Sequence, residues 1–207
     1  IKGTAWFVGD TLTLQWEDWT PARPTPLYQW FANGVAISGA NSSSYKPTLG
    51  QNGSEIFVRV SVKKAGYEDK VVDSEPITVG IRTFDSTPAP TFTGTATVGS
   101  KLTAKASTWE PKASKSTFSW YIGDAAAPSA TGTSFTLPAS AAGKKIRLVM
   151  TGEKANYLTA TSQVWTTTVA KGTISAGTPS ISGTVKPKAT VKVSAGRWGP
   201  APVTLKY

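Results

Sequence analysis

The chain of 207 residues contains no cysteine and no histidine. It therefore has no thiol nucleophile, no imidazole base and no soft-ligand metal site. Hydrolytic triads built on either residue are excluded with them. The fold is not stapled by disulfides, which leaves secretion open, since a cysteine-free fold has nothing to oxidise. Charge is also sparse, at 16% of residues against the roughly 25% usual in soluble domains. No run of about 18 apolar residues occurs, so no membrane-spanning helix is expected. The opening residues, IKGTAWFVGD, lack the basic, apolar and small-residue order of a signal peptide. Any targeting segment is expected to lie upstream or to have been removed.

What the chain does have is threonine, serine, glycine and alanine in abundance, 10% aromatic residues, and a repeat. Gly3-Thr4 recurs as Gly94-Thr95 and Gly183-Thr184, and Trp19-x-Pro21 as Trp109-x-Pro111 and Trp198-x-Pro200. Tyr28-x-Trp30 returns as Phe118-x-Trp120, Tyr45 as Phe135, Gly53 as Gly143, Ile56 as Ile146 and Tyr67 as Tyr157. So many matches in one register, spaced by about 90 residues, define tandem units. The expected domains are residues 1–80, 81–170, and a truncated third unit at 171–207 that stops two residues before its strand tryptophan. That truncation points to a fragment of a longer protein. Pro-rich TFDSTPAP at 83–90 and its counterpart at 170–180 read as junctions.

Within each unit the hydrophobic period is two. Ile56, Val58, Val60 and Val62 alternate with Phe57, Arg59 and Ser61, and Ile146, Leu148 and Met150 alternate with Arg147, Val149 and Thr151. That pattern predicts strands with one buried face. Thr11–Trp16, Lys101–Ala106, Leu27–Phe31, Val35–Ile37, Ser43–Tyr45 and Lys70–Val79 read as further strands, and Asn33-Gly34 as a tight turn. No stretch keeps a helical period. The prediction is an all-β chain of tandem sandwiches, about seven strands each. Each core is expected to centre on a tryptophan: Trp30 with Ile56 and Val58, Trp120 with Ile146 and Leu148.

The linked motifs Gly3-Thr4, Val8-Gly9, Leu12-Thr13, Trp19, Pro21, Tyr28, Trp30, Asn33-Gly34, Ile37, Gly39-Ala40, Tyr45, Gly53, Ile56 and Gly66-Tyr67 carry a resemblance. The chain resembles the tandem immunoglobulin-like repeats of secreted and cell-surface proteins of Gram-positive, especially actinobacterial, bacteria. The second repeat departs in the middle, where YIGDAAAPSATGTSF replaces FANGVAISGANSSSY and the turn becomes Gly123-Asp124. The resemblance implies an extracellular or cell-wall-associated spacer or adhesion module. It carries over no defined ligand site, because such repeats are appended to other domains.

Candidate chemistry is thin. The adjacent acids Glu17-Asp18 and Glu68-Asp69 sit on opposite strand faces, a poor arrangement for convergent acid/base work. Asp73 and Glu75 share a face, but no histidine stands near them. A calcium site wants six to eight oxygens, while the 169–180 junction has no acid and the first junction only Asp85. No metal, no cofactor and no enzymatic activity is expected. Five of the eight tryptophans recur with the repeat and read as fold positions. Trp6, Trp16 and Trp165 align with Ala96, Ala106 and Glu75, so the fold does not demand them. They are candidates for stacking on sugar rings or for packing, and Trp16 shares the parity of inward Leu12 and Leu14.

Net charge is +10 but uneven: the first repeat has 7 basic and 8 acidic residues, the second 9 and 4, the third segment 6 and none. A basic second repeat suits anionic glycans, wall polymers or anionic surfaces. Lys145 and Arg147, in GKKIRLVM, form its densest ridge. Nucleic acid is not expected, since basic residues do not interleave with stacking aromatics. Three functions are open: a spacer, stalk or adhesion module of a larger protein; a binding module for carbohydrate or anionic wall polymer through Trp6, Trp16, Trp165, Lys145 and Arg147; or accessory domains of a secreted polysaccharide-active enzyme. Partners are then neighbouring domains of the parent protein, a glycan or wall polymer, or further copies through edge strands.

Overall fold

The computed structural model describes residues 1, 5–15 and 25–206. The first Gly-Thr, Glu17-Asp18, the first Trp-x-Pro, Trp16 and Tyr207 lie outside the described residues. The strands are β1 Leu12–Thr13, β2 Pro26–Ala32, β3 Val35–Ala36, β4 Ser44–Tyr45, β5 Glu55–Val62, β6 Lys70–Asp73, β7 Ile77–Thr78, β8 Thr91–Thr93, β9 Lys101–Lys105, β10 Lys115–Ile122, β11 Ala130–Thr131, β12 Ser134–Thr136, β13 Ile146–Glu153, β14 Ala160–Trp165, β15 Ser180–Ser182 and β16 Lys192–Ser194. Among the described residues the only helical turns are 3-10 turns at Leu49–Gln51 and Ala139–Ala141.

Two sheets recur. In the first repeat β1 pairs with β4, while β3, β2, β5 and β6 form a second sheet that β7 joins through β5. In the second repeat the orders are β12-β9-β8 and β11-β10-β13-β14. The segment before β1 crosses to pair in parallel with the end of the repeat, Phe7 with Gly80, and Thr97 does the same with Ala170. Two antiparallel sheets in this strand order, with Trp30 of β2 and Trp120 of β10 facing inward, are the immunoglobulin-like sandwich. The predicted alternation produces it. Ile56, Val58, Val60 and Val62 of β5 are buried, as are Ile146, Leu148 and Met150 of β13.

Loops set the registers. Asn33 and Gly34 have φ of 48° and 78°. Both left-handed positions suit a two-residue hairpin turn, which brings Ala32 opposite Val35. The stretch expected as one strand, Lys70–Val79, is two. The Ser74 hydroxyl accepts the Val58 N–H at 3.1 Å, so a side chain replaces a rung of the ladder and β6 and β7 pair with β5 on either side of it.

The chain divides into two compact units. One comprises Ile1–Thr91, Ala106–Phe118 and Val149–Val164. One core cluster packs Val8, Leu12, Trp30, Ala40, Ile56, Val58, Ile77 and Val79, and Trp30 is fully buried. The same unit holds Trp109, whose indole meets Phe84 edge-on at 5.1 Å and donates to the Pro88 carbonyl at 3.2 Å. A Cβ on Gly152 would collide with that indole, so glycine stands where the first repeat has Val62. The other unit comprises Phe92–Lys105, Ser119–Leu148 and Trp165–Tyr207. There Leu102, Trp120, Leu137, Ile146 and Leu148 are buried. This unit also carries the β15–β16 ribbon, on which Ile181 faces Val193.

The two central tryptophans are held alike. Trp30 Nε1 donates to the Ser42 carbonyl at 2.9 Å and Trp120 Nε1 to the Gly132 carbonyl at 2.9 Å. Each indole leans on the next repeated aromatic, Tyr45 at 5.6 Å and Phe135 at 6.0 Å. Trp30→Ala should cost about 3–5 kcal/mol by calorimetric unfolding. An unchanged transition would show that the first sandwich does not rest on it. Gly152→Val should cost about 1–3 kcal/mol by overpacking against Trp109, read from the shift in chemical denaturation midpoint.

Candidate functional site

On the four-stranded sheet of the second repeat, three outward side chains come into line. Tyr121 is on β10, Arg147 on the adjacent β13 and Trp165 at the end of β14. Their strand neighbours Trp120, Ile146 and Leu148 point into the core, so alternation obliges these three to point out. The Arg147 guanidinium carbon lies 4.4 Å from the Tyr121 ring centroid and 5.6 Å from that of Trp165. Guanidinium stacks well on aromatic faces, and here one cation bridges two rings. Its Nη2 donates to the Ala125 carbonyl at 3.2 Å, while its Nε is buried with no hydrogen-bond partner. Among the described residues no carboxylate pairs with it.

Beside this stack is an open groove of about 840 Å³, lined by Ile122, Gly123, Asp124, Ala125, Lys144, Lys145 and Trp165. Its size falls within the roughly 300–1,000 Å³ of small-ligand sites. The Gly123 N–H donates to the Lys145 carbonyl at 2.7 Å, which ties the 122–125 turn to the lysine pair. Both lysines are exposed and Trp165 is 37% exposed. Cations, one carboxylate and one indole therefore face a common space.

The same positions in the first repeat carry different chemistry. Tyr121, Lys145, Arg147 and Trp165 stand 90 residues after Phe31, Glu55, Phe57 and Glu75. Phe31 and Phe57 stack on each other at 4.8 Å. The cation over them, Arg59, lies 4.9 Å from the Phe31 centroid and is held by Asp73 through two hydrogen bonds of 2.7 Å. Those bonds hold the Asp73 carboxyl below its ordinary range. The pair's contribution is therefore complete above the ordinary aspartate value near 3.9 and fades as pH falls through the lowered one. As an exposed pair it is worth little. Asp73 is thus engaged with Arg59.

Of the residues singled out in the sequence, the structure brings Trp165, Lys145 and Arg147 together. Trp6 is elsewhere, half-buried against the core of the first repeat. Trp16 lies outside the described residues. Tyr121, Ile122, Asp124 and Lys144 were not singled out. Tyr121 aligns with an aromatic in the first repeat and so looked like scaffold. Asp124 belongs to the segment where the second repeat departs from the first, and that departure was the available signal.

A second organised feature lies wholly inside the first unit, around the junction between repeats. Arg82 Nη2 donates to Asp10 Oδ1 at 2.7 Å and Oδ2 at 2.9 Å, and its guanidinium carbon stands 4.7 Å from the Phe7 centroid. The Arg82 backbone pairs in parallel with Tyr157, and the Leu158 N–H donates to the Arg82 carbonyl at 2.8 Å. One residue thus contacts the segment before β1 and the turn between β13 and β14.

No family model and no curated protein matches the chain. Among solved structures it is similar to the amphioxus IgVJ-C2 molecule over 81% of this chain and 98% of that one, at 14% identity and a TM-score of 0.28. The immunoglobulin-like assignment rests on the strand order and core described above.

Because Trp165 is outward and held mainly by a cation, Trp165→Ala should lower stability by only about 1 kcal/mol, whereas Trp120→Ala should cost about 3–5 kcal/mol. Equal losses in chemical denaturation would place Trp165 in the core rather than at the groove.

Proposed function

We propose that the chain is a non-enzymatic spacer or stalk module of a secreted, wall-associated protein. The Arg82 junction is the observation that carries this reading. A linker between independent binding domains needs only length, whereas a spacer must resist bending. Here Arg82 Nη2 donates to both oxygens of Asp10, its guanidinium stands over the Phe7 ring, and its backbone pairs with Tyr157. Charge-assisted hydrogen bonds are the stronger ones, and here they join a ring contact and a backbone bridge on the same residue. The module projects or separates its neighbours in the parent protein mechanically, and it needs no cofactor to do so.

A second reading is favoured by the groove: a binding module for glycan or anionic wall polymer, with Trp165, Lys144 and Lys145 as contacts. The two readings are compatible, since a stalk can hold a polymer along its length.

Small-angle scattering tests the spacer reading. Arg82→Ala should broaden the pair-distance distribution and raise the maximum dimension relative to wild type, with the unfolding transition of the sandwiches unchanged. Superimposable scattering from the two proteins would remove the basis for a stiff junction.

A further inference from the structure

We infer that the groove of the second repeat selects an acidic saccharide, a sugar ring that itself carries a carboxylate or phosphate, over both neutral sugars and ring-free polyanions. This rests on the binding reading of the groove and names its ligand class.

Three features of the lining carry the inference. Trp165 presents part of an indole to the groove, and the polarised C–H bonds of a sugar face complement the negative face of an aromatic ring. Lys144 and Lys145 provide two exposed cations within the same lining, which a neutral sugar does not require. Asp124 stands in that lining too. A carboxylate only accepts hydrogen bonds, so it complements sugar hydroxyls and repels a dense polyanion. A plain polyphosphate site has no use for Asp124, and a neutral-sugar site has no use for the lysines. Only a ligand with hydroxyls and a negative charge on one ring uses all of them.

Arg147 has a separate part. Its guanidinium is taken up by Tyr121, Trp165 and the Ala125 carbonyl, so it is a positioning residue that sets the indole and the 122–125 turn. One arginine therefore fixes both the stacking wall and the wall that bears Asp124. The first repeat cannot do the same, because Glu55 and Glu75 stand where Lys145 and Trp165 stand in the second. Single-stranded nucleic acid is disfavoured, since it needs successive stacking platforms and the groove offers one.

Isothermal titration of the whole chain tests this, using hexagalacturonate, a phosphorylated mannooligosaccharide, maltohexaose, inorganic polyphosphate and oligo-dT. Saturable binding of hexagalacturonate or the phosphorylated oligosaccharide is expected, at least tenfold tighter than the other three. The tighter of the two identifies carboxylate or phosphate as the natural charge. Trp165→Ala, and Lys144→Gln with Lys145→Gln, should each weaken that binding at least tenfold with an unchanged fold by circular dichroism. Asp124→Asn should weaken the acidic saccharide while strengthening polyphosphate. Arg147→Lys should weaken binding and shift the Trp165 indole resonance in the free protein, whereas the lysine substitutions should not move it. Polyphosphate, oligo-dT or maltohexaose binding as tightly as the acidic saccharides overturns the class named here but leaves a binding groove. No saturable binding by any probe overturns the groove reading itself, and leaves the scattering test of the junction untouched.

Discussion

Everything in the two sandwiches is arranged around an indole N–H that has no water to bond. Trp30 and Trp120 are fully enclosed, and each finds its acceptor in a carbonyl of the loop that leads to the next strand of the opposite sheet, Ser42 and Gly132. An unsatisfied buried donor is costly, so the loop must pass at one height and in one orientation. That fixes where β4 and β12 begin, and hence which residues of β1 and β9 oppose them. Leu12 meets Tyr45 and Leu102 meets Phe135 as a consequence. A single side-chain hydrogen bond thereby sets the register of one sheet from the core of the other.

The inward half of the molecule was legible in the sequence because it obeys a period. Alternation marked β5 and β13, and the recurrence of Trp30 as Trp120 identified the core centre without any alignment to other proteins. The outward half obeys no period. Tyr121, Arg147 and Trp165 meet across three strands, and their assembly depends on sheet order, which local pattern does not encode. Lys145, Arg147 and Trp165 could be singled out by charge density or by mismatch between repeats. Tyr121 could not, since it resembles Phe31. The division of Lys70–Val79 was hidden for a related reason: a serine hydroxyl that replaces a backbone rung looks like any other polar residue.

On the proposed spacer reading, stiffness in a chain without disulfides falls to the junction. Arg82 combines a directional ion pair, a ring contact and a backbone bridge, each modest alone. They act on one residue, so on that reading the junction is held at once from the segment before β1 and from the turn at Tyr157 and Leu158. Lys171 occupies the matching place before the third segment, and an ammonium lacks the planar face that the Arg82 guanidinium lays against the Phe7 ring.

The 90-residue register between Phe31 and Tyr121, Glu55 and Lys145, Phe57 and Arg147, and Glu75 and Trp165 makes the outer face a set of interchangeable sockets on a constant frame. Inner-face residues answer to the core, and outer-face residues at these positions answer to nothing in the core. A tandem array built this way can carry a different surface on every link while each link keeps the same interior. Duplication of one link therefore supplies a new surface without a new fold, and the outer face of the second repeat could be transplanted as a handful of side chains and one turn.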